Sequence, residues 1–228
     1  MTPDPNSSPV GWAPLPVRVP AVRVGNPGDA AAVSALVADS FADLGVCRNY
    51  LVPHPVRRAQ ILPAYFAITV EHALRHGQVD HLPGFLAAAV WLPVPGTPPV
   101  PGHAGRLAAA TGERLERFAA LEEAMETVHP PTPAHLYLAF LAVRADCQGQ
   151  GLGSRLLAHR HAVLDGIGLP AYLEAADARS RGLYARHGYT DHGGPLALPD
   201  TGETMFPMWR EPRGGGTCGA GGGPGGAG

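Results

Sequence analysis

The 228-residue chain contains no lysine: its 17 basic residues are all arginine, set against 19 acidic ones for a net charge of -2. The P-loop of nucleotide hydrolases needs a lysine after its second glycine, so that device is excluded. A nearly balanced charge leaves no electrostatic footprint for nucleic acid or an anionic membrane. Cysteine is scarce as well. Cys47, Cys147 and Cys218 are odd in number and lack Cys-x-x-Cys spacing, which argues against a disulfide framework or a cysteine-rich zinc centre and suits a reducing cytoplasm. No apolar run reaches the ~18 residues of a membrane span, and the N-terminus lacks the basic-then-apolar order of a secretory signal. The expectation is a cytoplasmic protein with a single full core and no metal. The arginine-only basic set, together with 30 glycines and 25 prolines, reads as compositional bias, not as a functional signal.

Residues 1–16 carry five prolines among small and polar residues, and residues 212–228 are mostly glycine. Neither segment buries enough apolar surface to offset its ordering entropy, so both are expected to be disordered tails around one domain at 17–211. Within that domain, Val19 to Val24 reads as a strand and Asn26 to Asp29 as a helix start. Val33, Leu36, Val37, Ser40, Phe41 and Leu44 then recur at helical spacing. Val56 to His76 is helical, with Pro63 predicted to kink or split it. Gln78 to Leu82 and Phe85 to Leu92 read as strands joined at Pro83-Gly84, followed by a proline-rich loop from Pro93 to Pro101. A further helix carries Leu115, Phe118, Leu121, Met125 and Val128. Leu136 to Val143 is a strand with almost no polar alternation, predicted to be buried on both faces. Leu152, Leu156, Val163 and Ile167 mark the next helix. Ala171 to Glu174 is a strand, Ser180 to His187 a helix, and a strand pair runs from Gly188-Tyr189 to Met205–Trp209. The order predicts an α/β (α+β) domain around a mixed sheet.

Between the strand at Leu136–Val143 and the following helix lies Gln148-Gly149-Gln150-Gly151-Leu152-Gly153. Glycines let a backbone approach an anion closely, and the first N–H groups of the helix point at it. A Rossmann turn does not fit: counted from Gly149, the third glycine falls one residue early, at Gly153, and Ser154 stands in its place. The segment resembles Gln/Arg-x-x-Gly-x-Gly/Ala, the acetyl-CoA pyrophosphate motif of the GNAT superfamily of N-acetyltransferases. Thirty-one residues past Gly153 comes Tyr184, in Leu183-Tyr184-Ala-Arg-His-Gly188-Tyr189, similar to the second signature of that superfamily, Leu-Tyr-x-x-x-Gly-Tyr/Phe. Phe41-Ala42-Asp43, Ala89-Val90-Trp91 and Leu173-Glu174 resemble the branch typified by puromycin N-acetyltransferase.

The resemblance implies a GNAT fold, a mixed sheet whose two parallel strands splay apart to admit the pantetheine arm of acetyl-CoA. Those strands would be Leu136–Val143 and Ala171–Glu174. Backbone groups of Leu141, Ala142 and Val143 would pair with the arm. N–H groups from Gly149 through Gln150, Gly151, Leu152 and Gly153 to Ser154 would hold the pyrophosphate, with the Gln148 amide closing the rim. Ser180 stands where that branch has asparagine, leaving its pantetheine contact weaker. Tyr184 would protonate the departing thiolate, since a phenol near 10 lies above a thiol near ~8.5. Glu174 is the candidate base or the anchor of its water relay; the bland reading is a carboxylate paired with Arg179 or Arg181.

The implied activity is direct acetyl transfer to the primary amine of a small molecule, by a monomer or homodimer. A protein or peptide acetyltransferase and a non-catalytic acyl-CoA sensor are the alternatives. The acceptor pocket is predicted from Phe41 to Tyr50, the Val56–His76 segment and the end of the Trp91 strand. Other groups get bland readings. His72 and His76 have metal spacing on a helix but no third ligand and read as a solvated face. His159 and His161 read as surface residues, and Glu122, Glu123 and Glu126 as a solvated acidic face. Cys147 lacks the poised histidine a nucleophile needs, and Cys218 lies in the glycine-rich tail.

Overall fold

Asn26 starts the first helical segment by accepting the Gly28 N–H at 3.0 Å, while Asp29 returns a bond to the Asn26 N–H at 2.9 Å. This reciprocal cap, with Pro27 at the first helical position, satisfies donors that a helix start leaves open. The computed structural model describes residues 21–214. The tail expected at 1–16, most of that at 212–228, residues 19 and 20 of the predicted first strand and Cys218 lie outside those residues.

Helix α1 (Ala30–Phe41) buries Val33, Leu36 and Val37 at helical spacing and ends before Leu44. A wide turn of π-helix, Val46–Leu51, leads to α2 (Pro55–His76). Pro63 does not split α2. It removes one backbone donor, but Leu62 and Phe66 on either side are buried in the core and hold the helix together. Helix α3 (His103–Thr111) occupies a stretch without a predicted element, and α4 (Leu115–Val128) follows. Helices α5 (Leu152–Ile167) and α6 (Ala178–Arg186) complete the set.

The strands are β1 (Arg23–Val24), β2 (Gln78–His81), β3 (Ala87–Val94), β4 (His135–Val143), β5 (Ala171–Ala175), β6 (Thr190–Asp191), β7 (Leu196–Ala197) and β8 (Thr204–Arg210). They form a mixed sheet in the order β1-β2-β3-β4-β5-β8-β6, with β7 against β8. Among the described residues only β4 and β5 are parallel. Ala87 to Trp91 are wholly buried because helices cover both faces of the sheet. On one face α1, α2 and α4 pack with Leu62, Phe66 and Phe118. On the other, α5 and α6 enclose Trp91, Leu156, Leu157 and Tyr184. Asp80 of β2 ties α5 down through two bonds from Arg160, at 2.9 and 2.6 Å.

Some predicted positions move. Val163 and Ile167 of α5 are exposed, because the inward face is set by Leu156, Leu157 and Leu164. His161 is buried and bonds the Tyr189 hydroxyl at 3.0 Å, so it is not a surface residue. His72 is buried too, its ring 2.8 Å from the Pro98 carbonyl; the Pro93–Pro101 segment folds over it. Among the described residues, no group of three metal-ligating side chains converges.

Candidate active site

Strand β4 pairs with β3 along its whole length, from Ala87↔Val143 to Val94↔His135. Against β5 it pairs only at Leu136↔Ala171 and Tyr137↔Tyr172. Beyond Tyr137 the two parallel strands part, leaving one edge of β4 unpaired in the middle of the sheet. The Arg144 N–H donates to Leu86 on β3, and donor direction alternates along a strand. Leu141 and Val143 therefore turn their N–H and C=O groups into the gap, whereas Ala142 turns its own toward β3. Ala142 thus drops out of the predicted backbone contacts. The Val143 N–H meets Ser40 Oγ of α1 at 3.3 Å. Residues Ala139 to Leu141 and Val143 are only partly buried because they line this gap, so β4 is not buried on both faces throughout.

The glycine turn sits at the open end of the gap. Gly149 and Gly151 have φ of +75° and +77°, a region side chains rarely adopt, and a Cβ at either would meet nothing within 4 Å. Gly151 caps α5 without any side-chain bond, so the N–H groups of the first turn, Leu152 to Ser154, lack a side-chain acceptor. That is the arrangement an anion fits. Gly153 seats α5 closely on β4: a Cβ there would lie 3.5 Å from both the Leu141 and Val143 side chains. Gln148 reaches back to the Val143 carbonyl at 3.4 Å. Gln150 points away, to the Asp146 carbonyl, and does not line the cleft. Arg179 and Arg186 line the rim and pair with no carboxylate among the described residues.

One cavity of about 500 Å³ joins this turn to the gap and to a chamber beyond it. Phe41, Leu44, Val46, Cys47 and Leu51 wall the chamber, with Tyr65 and Phe66 of α2, Leu121 and Met125 of α4, and Met205 of β8. Phe41, Phe66 and Phe140 meet edge to face, with ring centroids 5.0 to 5.8 Å apart. Of the segments predicted to build an acceptor pocket, Phe41 to Tyr50 and α2 do supply lining residues of this cavity. Trp91 does not belong, because its ring faces the opposite layer and packs with α5. The contributions of α4 and β8 had no signal in sequence, being ordinary core positions. Burial pushes the Cys47 thiol up to about 12. Cys147 accepts a long 3.5 Å contact from Arg144 and has no histidine poised on it.

Glu174 and Tyr184 both line the cavity. The Glu174 side chain is 1% exposed. Its Oε2 accepts the Tyr137 hydroxyl at 2.9 Å, while Oε1 has no hydrogen-bond partner. Burial raises this carboxyl to about 7, against the hydrogen bond from Tyr137 that pulls it down. Among the described residues no arginine pairs with it: Arg181 binds Asp191 instead. The Tyr184 hydroxyl makes no hydrogen bond within the described residues, and burial lifts its pKa above the usual phenol value. Ser180 lies at the cavity wall, but its hydroxyl is engaged with Asp177 in the cap of α6. Tyr137, His129 and His135 gather around Glu174. Sequence reasoning passed over all three because they belong to no motif.

A sequence model of the acetyltransferase (GNAT) domain matches residues 106–191. Among solved structures, one described as histone acetyltransferase HPA2 and related acetyltransferase, from Corynebacterium glutamicum, superposes with a TM-score of 0.63. It is 25% identical, over 85% of this chain and 97% of that one. A mosquito arylalkylamine N-acetyltransferase-like 5b gives a TM-score of 0.56 at 16% identity, covering 84% and 99% of the two chains. An agmatine N-acetyltransferase gives 0.54 at 18% identity, covering 84% and 98%. The splayed mixed sheet flanked by helices is the fold that these proteins share with this chain.

Proposed function

We infer, for a chain whose residues 106–191 match the acetyltransferase (GNAT) domain and which is a transferase on the ground of that match and its structural neighbours, that it moves the acetyl group of acetyl-CoA to the primary amine of a small molecule. The carrying observation is the single cavity that runs from the open N–H groups of Leu152 to Ser154, past the unpaired edge of β4, to an apolar chamber holding one buried carboxylate.

Each requirement of acyl transfer has a candidate group along the cavity. The first turn of α5 would take the pyrophosphate, and Arg179 and Arg186 would add positive charge at the rim. Val143 and Leu141 would pair with the pantetheine arm, whose carbonyl would displace the long Ser40 contact. The Leu141 N–H would bond the thioester oxygen, and a fixed donor of this kind is worth ~3 kcal/mol of barrier. Tyr184, kept protonated by burial, would give its proton to the leaving thiolate. Glu174, raised to about 7, would take a proton from the ammonium form of the acceptor. Chamber walls of phenylalanine, leucine and methionine suit an amine on an apolar body. Helices α2 and α4 wall the chamber with apolar side chains, whereas a peptide would call for an open groove lined by backbone-binding polar groups.

Release of free coenzyme A thiol over a panel of amines tests this reading, with 2-phenylethylamine, a polyamine and a peptide with a free N-terminus as probes. Turnover of the apolar amine and not of the peptide is expected. Turnover of the peptide alone would overturn the small-molecule reading. Binding of acetyl-CoA without release across the panel would replace catalysis by sensing.

A further inference from the structure

Behind the chamber, Glu174, His129 and His135 stand in a line, and the transfer step just described uses only the first of them. A carboxylate kept for structure would have both oxygens bonded. Glu174 instead has Oε2 bonded to Tyr137 and Oε1 buried without a partner. Nδ1 of His129 lies 3.8 Å from that free oxygen. On the far side, Nε2 of His129 is 3.0 Å from Nε2 of His135, and Nδ1 of His135 is 2.8 Å from the Pro133 carbonyl oxygen.

Proton positions along this line follow from one fixed point. A carbonyl oxygen only accepts, so His135 Nδ1 carries a proton. Burial depresses the basicity of both rings, to about 4 for His129 and below its usual value for His135, so both are neutral at pH 7. A neutral His135 protonated at Nδ1 offers a bare Nε2, to which His129 Nε2 must donate. The Nδ1 of His129 is thereby left bare and facing Glu174. The rings are held in these orientations by edge-to-face and tilted ring contacts: His129 meets Tyr137 and Tyr172 at 4.7 and 4.6 Å between centroids, and His135 meets Trp209 at 5.1 Å.

We propose that His129 is the proton acceptor behind Glu174, with His135 as the positioning residue that fixes its tautomer. The inference rests on the amine-acetylation reading of the cavity. The acceptor arrives as an ammonium ion, R–NH3+, and gives one proton to the Glu174 carboxylate. Its nitrogen bonds the thioester carbonyl carbon, the C–S bond breaks, and the second proton lost from nitrogen ends on the sulfur by way of Tyr184. Glu174 then passes its proton from Oε1 to His129 Nδ1 once their 3.8 Å separation shortens to hydrogen-bond distance. The transfer runs uphill, from a carboxyl at about 7 to a ring at about 4; loss of the proton to water draws it forward and leaves Glu174 again a carboxylate. The imidazolium, 15% exposed, releases that proton to water. The sum is ammonium plus thioester giving amide, thiol and one proton. Other titratable groups face this line. Tyr137 of β4 and Tyr172 of β5 flank the carboxylate, Glu126 of α4 raises its proton affinity, and His192 beyond β6 opposes a charge on His135.

Ring-nitrogen NMR correlation spectra of the full chain read the tautomers directly. At neutral pH, His129 should be protonated at Nε2 and bare at Nδ1. A proton on His129 Nδ1 overturns the relay, whether or not the chain acetylates anything. With acetyl-CoA and 2-phenylethylamine, His129→Ala should leave both KM values near wild type and lower kcat about 100-fold, with recovery on adding imidazole. An unchanged kcat, or a loss that imidazole does not restore in a variant of unchanged Tm, overturns it. If the wild-type chain releases no thiol at all, the acetylation reading fails instead, and the spectra still decide the proton order.

Discussion

Tyr137 donates its hydroxyl proton to Glu174 Oε2 at 2.9 Å, from the last position at which β4 and β5 are still paired. The residue that ends the pairing thus also holds the carboxylate at the mouth of the chamber. Its hydrogen bond favours the ionised form and opposes burial, which pushes the other way. Tyr137→Phe should therefore move the acid limb of kcat/KM for the amine upward from about 7, by roughly one pH unit, the equivalent of one net hydrogen bond. A pH profile with an unmoved limb would separate Tyr137 from the titration of the site.

Glu174 also leaves a mark on stability. Its carboxyl rises from 4.5 to about 7 on folding, so the folded chain holds the extra proton between those values. That contribution is full below 4.5 and lost as pH rises through 7. His129, lowered from 6.5 to about 4, works in the opposite sense: its contribution is full above 6.5 and lost as pH falls through 4. Comparing wild type with Glu174→Gln isolates the first effect. Urea unfolding at pH 5 and pH 8 should show the variant gaining on wild type by on the order of 3 kcal/mol at the higher pH. A difference independent of pH would mean that the carboxyl is not perturbed. The same variant should lose about 100-fold in kcat/KM for the amine.

Tyr184→Phe keeps the ring in its buried seat against Tyr189, 5.8 Å between centroids, and removes only the hydroxyl. The expected result is a kcat lowered about 100-fold or more with little change in the Kd for acetyl-CoA. An unchanged kcat under conditions where chemistry limits turnover would take Tyr184 out of the acid role.

Far from the cavity, the wholly buried Asp80 binds Arg160 through both its oxygens. Asp80→Ala would leave the mostly buried guanidinium uncompensated and should destabilise the fold by about 3–5 kcal/mol. Thermal melts should show the loss, while the KM values of the surviving folded protein stay near wild type. A Tm close to wild type would show that α5 is held by apolar packing alone.

What could be read from sequence was local. The turn from Gln148 to Gly153 and the Leu183–Tyr189 segment are contiguous, so spacing alone disclosed both. Glu174 was found through its place at a strand end. Its surroundings come from two segments, His129 just beyond α4 and His135 and Tyr137 on β4, and only the pairing of β4 with β5 brings them to it. His161 looked like a surface residue because a helix position does not say which neighbour covers it, and here Tyr189 does. Trp91 was assigned to the acceptor pocket from the strand it ends, but alternation along β3 sends its side chain to the other layer. Helix α3 escaped notice because prolines and glycines precede it, and its buried face is only Leu107 and Thr111.

A sheet ordinarily has two edges, and here both outer ones are strands of two residues, β1 and β6, too short to recruit another chain. The parting of β4 from β5 creates a third edge inside the molecule, long and hydrogen-bond hungry, yet walled by α1 and α6. Another protein's strand would have to thread between those walls. A slim, flexible tether with alternating amide groups can lie along it without disturbing either helix. The protein thereby confines strand addition, elsewhere a route to aggregation, to a guest no wider than a single extended chain.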